Sequence, residues 1–166
     1  MLHGPLVAGL GQGLSKESIS QLCMALTSSK PLGRLSYPGL KALRKGRARG
    51  RLIGGCLSLV AASLGTPWEI NTQGTILFLE DRGEEPYRID RMLTQLRLAG
   101  KLDHVVGLLI GNFDDSEPDR QGATADETLK DILERLEVPI LACFPAGHGT
   151  ENWVLPLGAR VRLDAS

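Results

Sequence analysis

One apolar run in the middle of the chain limits the possible folds more than any other feature. Residues 75–80 read Thr-Ile-Leu-Phe-Leu-Glu, without the alternation of polar and apolar side chains that a half-exposed strand shows. A strand of this kind is buried on both faces, which is typical of a parallel sheet covered by helices. We therefore predict an α/β fold in which Glu80 and Asp81 end a central strand. Open α/β sheets place ligands and catalytic groups at that edge.

A second apolar run, residues 138–143, precedes a loop that carries a histidine. The loop spans residues 144–152, and His148 lies between Gly147 and Gly149. Because neither neighbour has a side chain, the imidazole can reach a cleft without crowding, and histidine exchanges protons near neutral pH. A tight turn without any chemistry explains the same pattern, since polar residues and glycine are common in turns.

Glu80 and His148 form the candidate catalytic pair. A carboxylate at the end of an apolar strand needs a partner, and a histidine is a natural one. A carboxylate bonded to one ring nitrogen fixes the tautomer of the imidazole and stabilises its cation. In the alternative interpretation, Glu80 and Asp81 only begin a polar loop. The residues alone identify no nucleophile, because no serine lies in a G-x-S-x-G turn.

Charge and cysteine content exclude several classes of function. The chain has 166 residues with 19 basic and 19 acidic side chains, so no overall field favours nucleic acid or an anionic membrane. Its three cysteines, Cys23, Cys56 and Cys143, fit neither a disulfide framework nor a zinc site. No apolar run approaches the roughly 20 residues of a membrane helix, and no signal peptide is recognisable. We expect a cytoplasmic protein with no nucleic-acid or membrane partner.

Helical periodicity and capping signals predict most of the remaining elements. Ser15 is expected to cap a helix whose apolar face carries Ile19, Leu22, Cys23 and Leu26. Further helices are expected at residues 56–64, from Pro86 to a C-cap at Gly100, and after a capping box at Thr124 and Glu127. A strand is expected at residues 105–110, and a last pair of strands at residues 153–157 and 160–163 around a turn at residues 158–159.

The segment between Lys41 and Arg51 contains six basic residues. It could be a patch that binds phosphate or RNA, or a solvated hairpin that turns near Gly46. The hairpin is the favoured interpretation, because no aromatic side chains interleave with the charges to form a stacking platform.

Five stretches of the chain resemble the C-terminal part of the LD-carboxypeptidases. They are residues 54–59, 65–69, 76–92, 107–113 and 147–149. Within the third of them, the part from Glu80 to Met92 is long and specific, and the resemblance extends over nearly the whole chain.

The resemblance implies a serine peptidase that removes the terminal D-alanine from murein tetrapeptides in peptidoglycan recycling. Its Ser-Glu-His triad would take the glutamate from Glu80 and the general base from His148, without a metal or organic cofactor. The implied fold has an N-terminal Rossmann-like or flavodoxin-like domain and a C-terminal swivelling, barrel-like α/β domain. Residues 31–166 would form the C-terminal domain, and residues 1–30 a remnant of the first domain with a connector. The family also implies a homodimer for the complete enzyme.

The chain departs from the family pattern in two places. Residues 3–5 match a His-Gly-Pro segment that follows the family's nucleophilic serine, so we expect that serine before Met1 and no turnover by this chain alone. Cys56 stands where the family usually has asparagine. Two alternatives remain open, namely a serine hydrolase of the microcin-immunity type with a peptide-nucleotide substrate, and a binding module without catalysis.

Overall fold

Strands and helices alternate along the computed structural model, which describes residues 1–11, 13–120 and 122–166. The strands are β1 (Leu2–His3), β2 (Lys41–Arg44), β3 (Arg47–Cys56), β4 (Thr75–Arg82), β5 (Gly107–Asp114), β6 (Ile140–Ala142), β7 (Leu155–Pro156) and β8 (Arg160–Asp164). The helices are α1 (Val7–Leu10), α2 (Lys16–Thr27), α3 (Leu57–Ala62), α4 (Pro86–Leu98) and α5 (Ala125–Leu133).

The main sheet has six strands in the order β2-β6-β5-β4-β3-β8. Strands β3, β4, β5 and β6 are parallel, and the two edge strands β2 and β8 run antiparallel to their neighbours. Strand β4 lies inside the sheet, and its residues from Thr75 to Asp81 are all buried. The predicted α/β fold with a fully buried central strand is therefore confirmed.

Two predicted strand pairings are wrong. Strands β2 and β3 do flank Gly46, but they do not form a hairpin, because β2 pairs with β6 while β3 pairs with β4 and β8. The last two strands are not a pair either, since β7 pairs with β1 and β8 pairs with β3. In both cases the chain crosses over to a distant partner. These partners lie far away in the sequence, so no local signal at the turn identifies them.

The sheet separates two apolar cores. Helices α3, α4 and α5 cover one face, where residues such as Leu79, Leu93 and Leu133 are fully buried. The other face packs against the segment around Phe144 and Trp153, and Leu163 of the edge strand β8 adds to this core. The capping box that begins α5 has both of its hydrogen bonds: the Thr124 hydroxyl accepts from the Glu127 N–H, and the Glu127 carboxylate accepts from the Thr124 N–H.

Helix α2 does not bury the apolar face that its periodicity predicts. Ser15 caps it as expected, accepting a hydrogen bond from the backbone N–H of Ser18 at 3.1 Å. Its buried residues, however, are Ser18 and Gln21, whereas Leu26 is 68% exposed. The helix rests on the rest of the domain through polar contacts at its N-terminal end, so its apolar side is uncovered.

Among the residues described, no helix combines the length and the hydrophobicity that crossing a membrane requires.

Candidate active site

The end of β4 presents two neighbouring carboxylates to opposite faces of the sheet. Side chains alternate along a strand, so Glu80 shares a face with Phe78 in the second core, whereas Asp81 points with Leu79 towards the helices. Both carboxylates are buried, at 1% and 4% exposure. Glu80 and Asp81 are adjacent in the sequence, but their side chains therefore lie in two separate environments.

Glu80 and His148 lie in hydrogen-bonding contact. Glu80 Oε2 is 3.0 Å from His148 Nδ1, across 68 positions of sequence. The glutamate side chain is 2% exposed, while the histidine keeps 39% of its side-chain surface exposed. Since Nδ1 faces the carboxylate, Nε2 is the ring nitrogen left for a proton on the solvent side. The pair can hold one tautomer and stabilise an imidazolium, which are the properties of an oriented general base.

The loop that carries His148 is fixed by backbone hydrogen bonds. The Asn112 N–H of β5 donates to Ala146 O at 2.9 Å, and the Trp153 N–H donates to Pro145 O at 2.6 Å. Gly147 has a φ of 144°, and a Cβ there would lie 3.0 Å from Glu80 Oε2. Glycine is thus required next to the histidine both for the backbone conformation and for the close approach of the carboxylate.

The start of α2 supports the far end of the same loop. Glu151 Oε2 accepts hydrogen bonds from Ser15 Oγ at 2.8 Å and Trp153 Nε1 at 3.2 Å. The Asn152 N–H donates to the fully buried Ser18 Oγ at 2.9 Å. Asn152 and Trp153 are each 7% exposed, so they brace the loop from inside.

Asp81 holds the N-terminal end of α3. Its Oδ2 accepts the Ser58 N–H at 2.8 Å, and its Oδ1 accepts the Arg82 N–H at 2.8 Å. The short helix has no cap from its own N-cap residue, Cys56. A carboxylate from a neighbouring strand therefore satisfies the free amide at the helix start, where negative charge is favourable.

Cys56 lies directly opposite Glu80 in the parallel pairing of β3 and β4. Its Sγ is 3.0 Å from Ser58 Oγ and 3.4 Å from Asp81 Oδ1. Burial raises the pKa of the thiol, and hydrogen bonding to Ser58 opposes that rise. Cys56, the residue that departs from the family pattern, is therefore next to Glu80 in the strand register and contacts Asp81, the carboxylate that holds the start of α3.

A third residue, His3, reaches the candidate pair from the other end of the chain. Its Nε2 lies 3.4 Å from Glu80 Oε1, and its ring packs edge-on against Phe78 with 4.9 Å between the ring centroids. Sequence reasoning found His3 only as part of a His-Gly-Pro match and gave it no role. No local signal could have revealed the contact, because it depends on the pairing of β1 with β7 at positions 3 and 155.

The basic segment spans the edge strand β2 and the start of β3, which lies between β4 and β8. Arg47 pairs with Asp164 of β8 at 3.1 Å, and Arg44 Nη2 donates to Glu134 O at 3.0 Å. Lys41, Arg49 and Arg51 are exposed. The basic side chains are therefore solvated or paired, although the segment is not the hairpin that was predicted.

In the part of the chain that the structure describes, no serine, threonine or cysteine side chain hydrogen-bonds to His148, whose side-chain contact is with Glu80. No cluster of three or more histidine, cysteine or acidic side chains there has the arrangement of a metal site. The site as it stands holds an acid–base pair without a nucleophile in contact.

Comparison with known proteins identifies relatives of this chain. Residues 49–163 match the family model described as the LD-carboxypeptidase C-terminal domain. The chain is 36% identical over 173 residues to a Bacillus subtilis protein named a probable murein peptide carboxypeptidase, a match that covers 99% of this chain and 53% of the relative. It is also 30% identical over 121 residues to the microcin C7 self-immunity protein of Escherichia coli, covering 72% of this chain and 35% of that protein.

A solved structure shows the same fold. The crystal structure of a muramoyltetrapeptide carboxypeptidase from Oxalobacter formigenes superposes with a TM-score of 0.81 at 29% identity, over 98% of this chain and 57% of that one. The chain thus spans about half the length of the curated relatives and of the solved structure that it matches.

Proposed function

This chain belongs to the LD-carboxypeptidase family, matching the model of the family's C-terminal domain, and from that premise we propose that it supplies the acid–base half of a serine-type murein tetrapeptide carboxypeptidase. The complete enzyme would remove the terminal D-alanine of the tetrapeptide. The observation that carries the proposal is the 3.0 Å contact between the buried Glu80 and the half-exposed His148.

The proposed mechanism is acyl transfer through a serine. His148 Nε2 takes the proton of the serine hydroxyl as the oxygen attacks the carbonyl carbon of the bond before D-alanine. The imidazolium then donates that proton to the departing amine, and the bond to D-alanine breaks. Water, deprotonated by the same nitrogen, releases the remaining peptide from the serine. Glu80 stays ionised throughout, orienting the ring and stabilising its positive charge.

The serine would come from sequence outside these 166 residues. Support for this comes from two facts, namely that the chain spans about half of its relatives and that no described side chain offers His148 a nucleophile. The chain alone should then release no D-alanine. When a triad member is missing, only residual catalysis remains, about 10³-fold to 10⁴-fold over water, and it depends on an intact oxyanion hole.

The direct test combines this chain with the upstream half of a complete family member and measures D-alanine release from murein tetrapeptide. We expect turnover by the combination and none by either half. Glu80→Gln and His148→Ala should abolish turnover, while Asp90→Asn, at an exposed position on α4, should keep it. Turnover that survives loss of His148 would refute the assignment of the general base.

The similarity to the microcin C7 self-immunity protein favours one second candidate. A hydrolase of that type would use the same pair on a peptide-nucleotide substrate. The two candidates separate in a competition assay that offers the combined protein murein tetrapeptide and an aminoacyl sulfamoyl nucleoside together. Preferential loss of the nucleoside compound would replace the first proposal by the second.

A further inference from the structure

The two oxygens of Glu80 face two different histidines. Oε2 bonds to His148 Nδ1 at 3.0 Å, and Oε1 lies 3.4 Å from His3 Nε2. Among the described residues, no other group forms a hydrogen bond or ion pair with Oε1. The carboxylate thus lies between two imidazoles. That of His148 reaches solvent, whereas that of His3 is largely covered, with 20% of the side chain exposed.

A buried carboxylate needs a donor for each oxygen to remain charged and fixed. Removing a charged group from water is unfavourable unless its oxygens find partners inside the protein. If Oε1 had no partner, the carboxylate could rotate to exchange its oxygens, draw in water or take up a proton. Each of these changes weakens the bond from Oε2 to His148. His3 therefore provides a partner for Oε1, the oxygen that does not contact His148.

The fold holds the His3 ring in place before any substrate arrives. His3 is paired with Leu155 between β1 and β7, immediately after the segment that braces the His148 loop. Its ring packs at 75° against the fully buried Phe78, which lies two residues before Glu80 on the same strand face. Backbone pairing and ring packing thus fix the ring from two directions.

We propose that His3 is a positioning residue that fixes the Glu80 carboxylate through Oε1, so that Oε2 remains aligned with His148. The inference rests on the proposed function in assigning the base to His148. In this arrangement His3 is the neutral tautomer that carries its proton on Nε2. Its Nδ1, which is buried and has no hydrogen-bond partner, is then the unprotonated acceptor. His3 does not touch the substrate and acts only through Glu80.

Two substitutions distinguish the effect of the His3 N–H donor from the effect of its ring packing. His3→Phe keeps an aromatic ring against Phe78 but has no donor for Glu80 Oε1. His3→Gln loses the ring and retains an N–H group that can reach the same oxygen. The readout is the ¹⁵N NMR spectrum of the histidine side chains in this chain at about pH 8, where the imidazole is largely neutral and the two tautomers have distinct shifts.

In the unmodified chain, His148 should be protonated mainly on Nδ1 and His3 mainly on Nε2. His3→Phe should lower the Nδ1–H to Nε2–H ratio of His148 about threefold or more, because the hydrogen bond that selects the tautomer weakens. His3→Gln should restore most of the original ratio. A ratio unchanged in a folded His3→Phe chain would overturn the proposal.

The spectrum of the unmodified chain is itself a test of the proposal. If His3→Phe does not fold, the spectrum of the unmodified chain decides, and a His3 protonated on Nδ1 would overturn the proposal because Nε2 would then have no proton to donate. These readouts need no turnover, so they are independent of the proposed activity. Where the combined halves do release D-alanine, His3→Phe should lower kcat about tenfold at unchanged KM, and His3→Gln should recover it.

Discussion

Asn152 holds Gly147 by both of its backbone polar groups. The amide Nδ2 of Asn152 donates to Gly147 O at 2.6 Å, and its Oδ1 accepts the Gly147 N–H at 3.4 Å. The Asn152 side chain, in a residue that is 7% exposed, thus closes the loop around His148 with two hydrogen bonds. The orientation of the imidazole depends on this closure, because His148 is the next residue and both of its neighbours in the sequence are glycines.

The first prediction is that Asn152→Ala destabilises the fold and loosens the histidine loop. The variant leaves the N–H and the carbonyl of Gly147 without their partner, which should lower the free energy of unfolding by about 2 kcal/mol. Urea denaturation followed by circular dichroism measures the loss. Asn71→Ala is the matched control, since Asn71 is exposed and accepts one local hydrogen bond from Gln73. That control should cost about 0.5 kcal/mol or less, and equal losses in both variants would contradict the bracing role.

The second prediction compares two glycines with nearly the same φ. Gly147 has a φ of 144° and Gly55 a φ of 145°, but a Cβ at Gly55 meets no atom within 4 Å. Alanine at either position should cost about 1–3 kcal/mol in backbone strain. Only Gly147→Ala should also disturb the site, because its methyl group would lie 3.0 Å from Glu80 Oε2. The ¹⁵N signals of His148 should therefore shift in Gly147→Ala and stay in Gly55→Ala. The same shift in both variants would show that strain alone moves the histidine.

The sequence was sufficient to predict the parts of the fold that local patterns encode. The buried strand before Glu80, the cap of α2 at Ser15 and the capping box at Thr124 all follow from side chains within a few residues of one another. The contact of Glu80 with His148 was also predicted, because a carboxylate at a strand end needs a partner and a family resemblance supplied one.

The features that were missed depend on long-range pairing. His3 reaches Glu80 only because β1 pairs with β7, about 150 residues away, a distance at which no periodicity carries information. The apolar side of α2 was predicted to be buried because periodicity shows which residues share a face and not what covers that face. Here Ser18 and Gln21 are the buried residues, and Leu26 is exposed.

The third prediction is that loss of the Asp81 carboxylate affects stability, whereas loss of the adjacent Glu80 carboxylate affects His148. Asp81→Ala removes the acceptor for the Ser58 N–H and should lower the free energy of unfolding by about 2 kcal/mol. It should leave the ¹⁵N signals of His148 in place, because Asp81 lies on the opposite face of β4. Glu80→Gln should change those signals. Asp90→Ala, at an exposed position on α4, is the control for loss of a carboxylate and should change neither quantity. A change in the His148 signals on loss of Asp81 would show that the two faces are coupled.

The fourth prediction concerns the pH dependence of Cys56. Burial raises the pKa of this thiol above its ordinary value, so the reactive thiolate is scarcer at neutral pH than in a free cysteine. Alkylation of Cys56 by iodoacetamide should therefore be slow near pH 7, and its rate should rise at a higher pH than that of an ordinary free thiol. Peptide mass spectrometry can follow the reaction, with the exposed Cys23 as the internal reference for reagent quality.

The outcome at Cys56 also bears on which group is the nucleophile. Cys56 is opposite Glu80 in the sheet and is the thiol nearest to the candidate pair in the strand register, so an activated thiolate there would compete with the proposed external serine. A nucleophilic cysteine needs a lowered pKa or an adjacent base, whereas Asp81 and burial both act in the opposite direction here. Slow alkylation at neutral pH, unchanged in His148→Ala, would fit a thiol that takes no part in catalysis. Rapid alkylation that His148→Ala abolishes would show that the histidine activates Cys56, and the external serine would then be unnecessary.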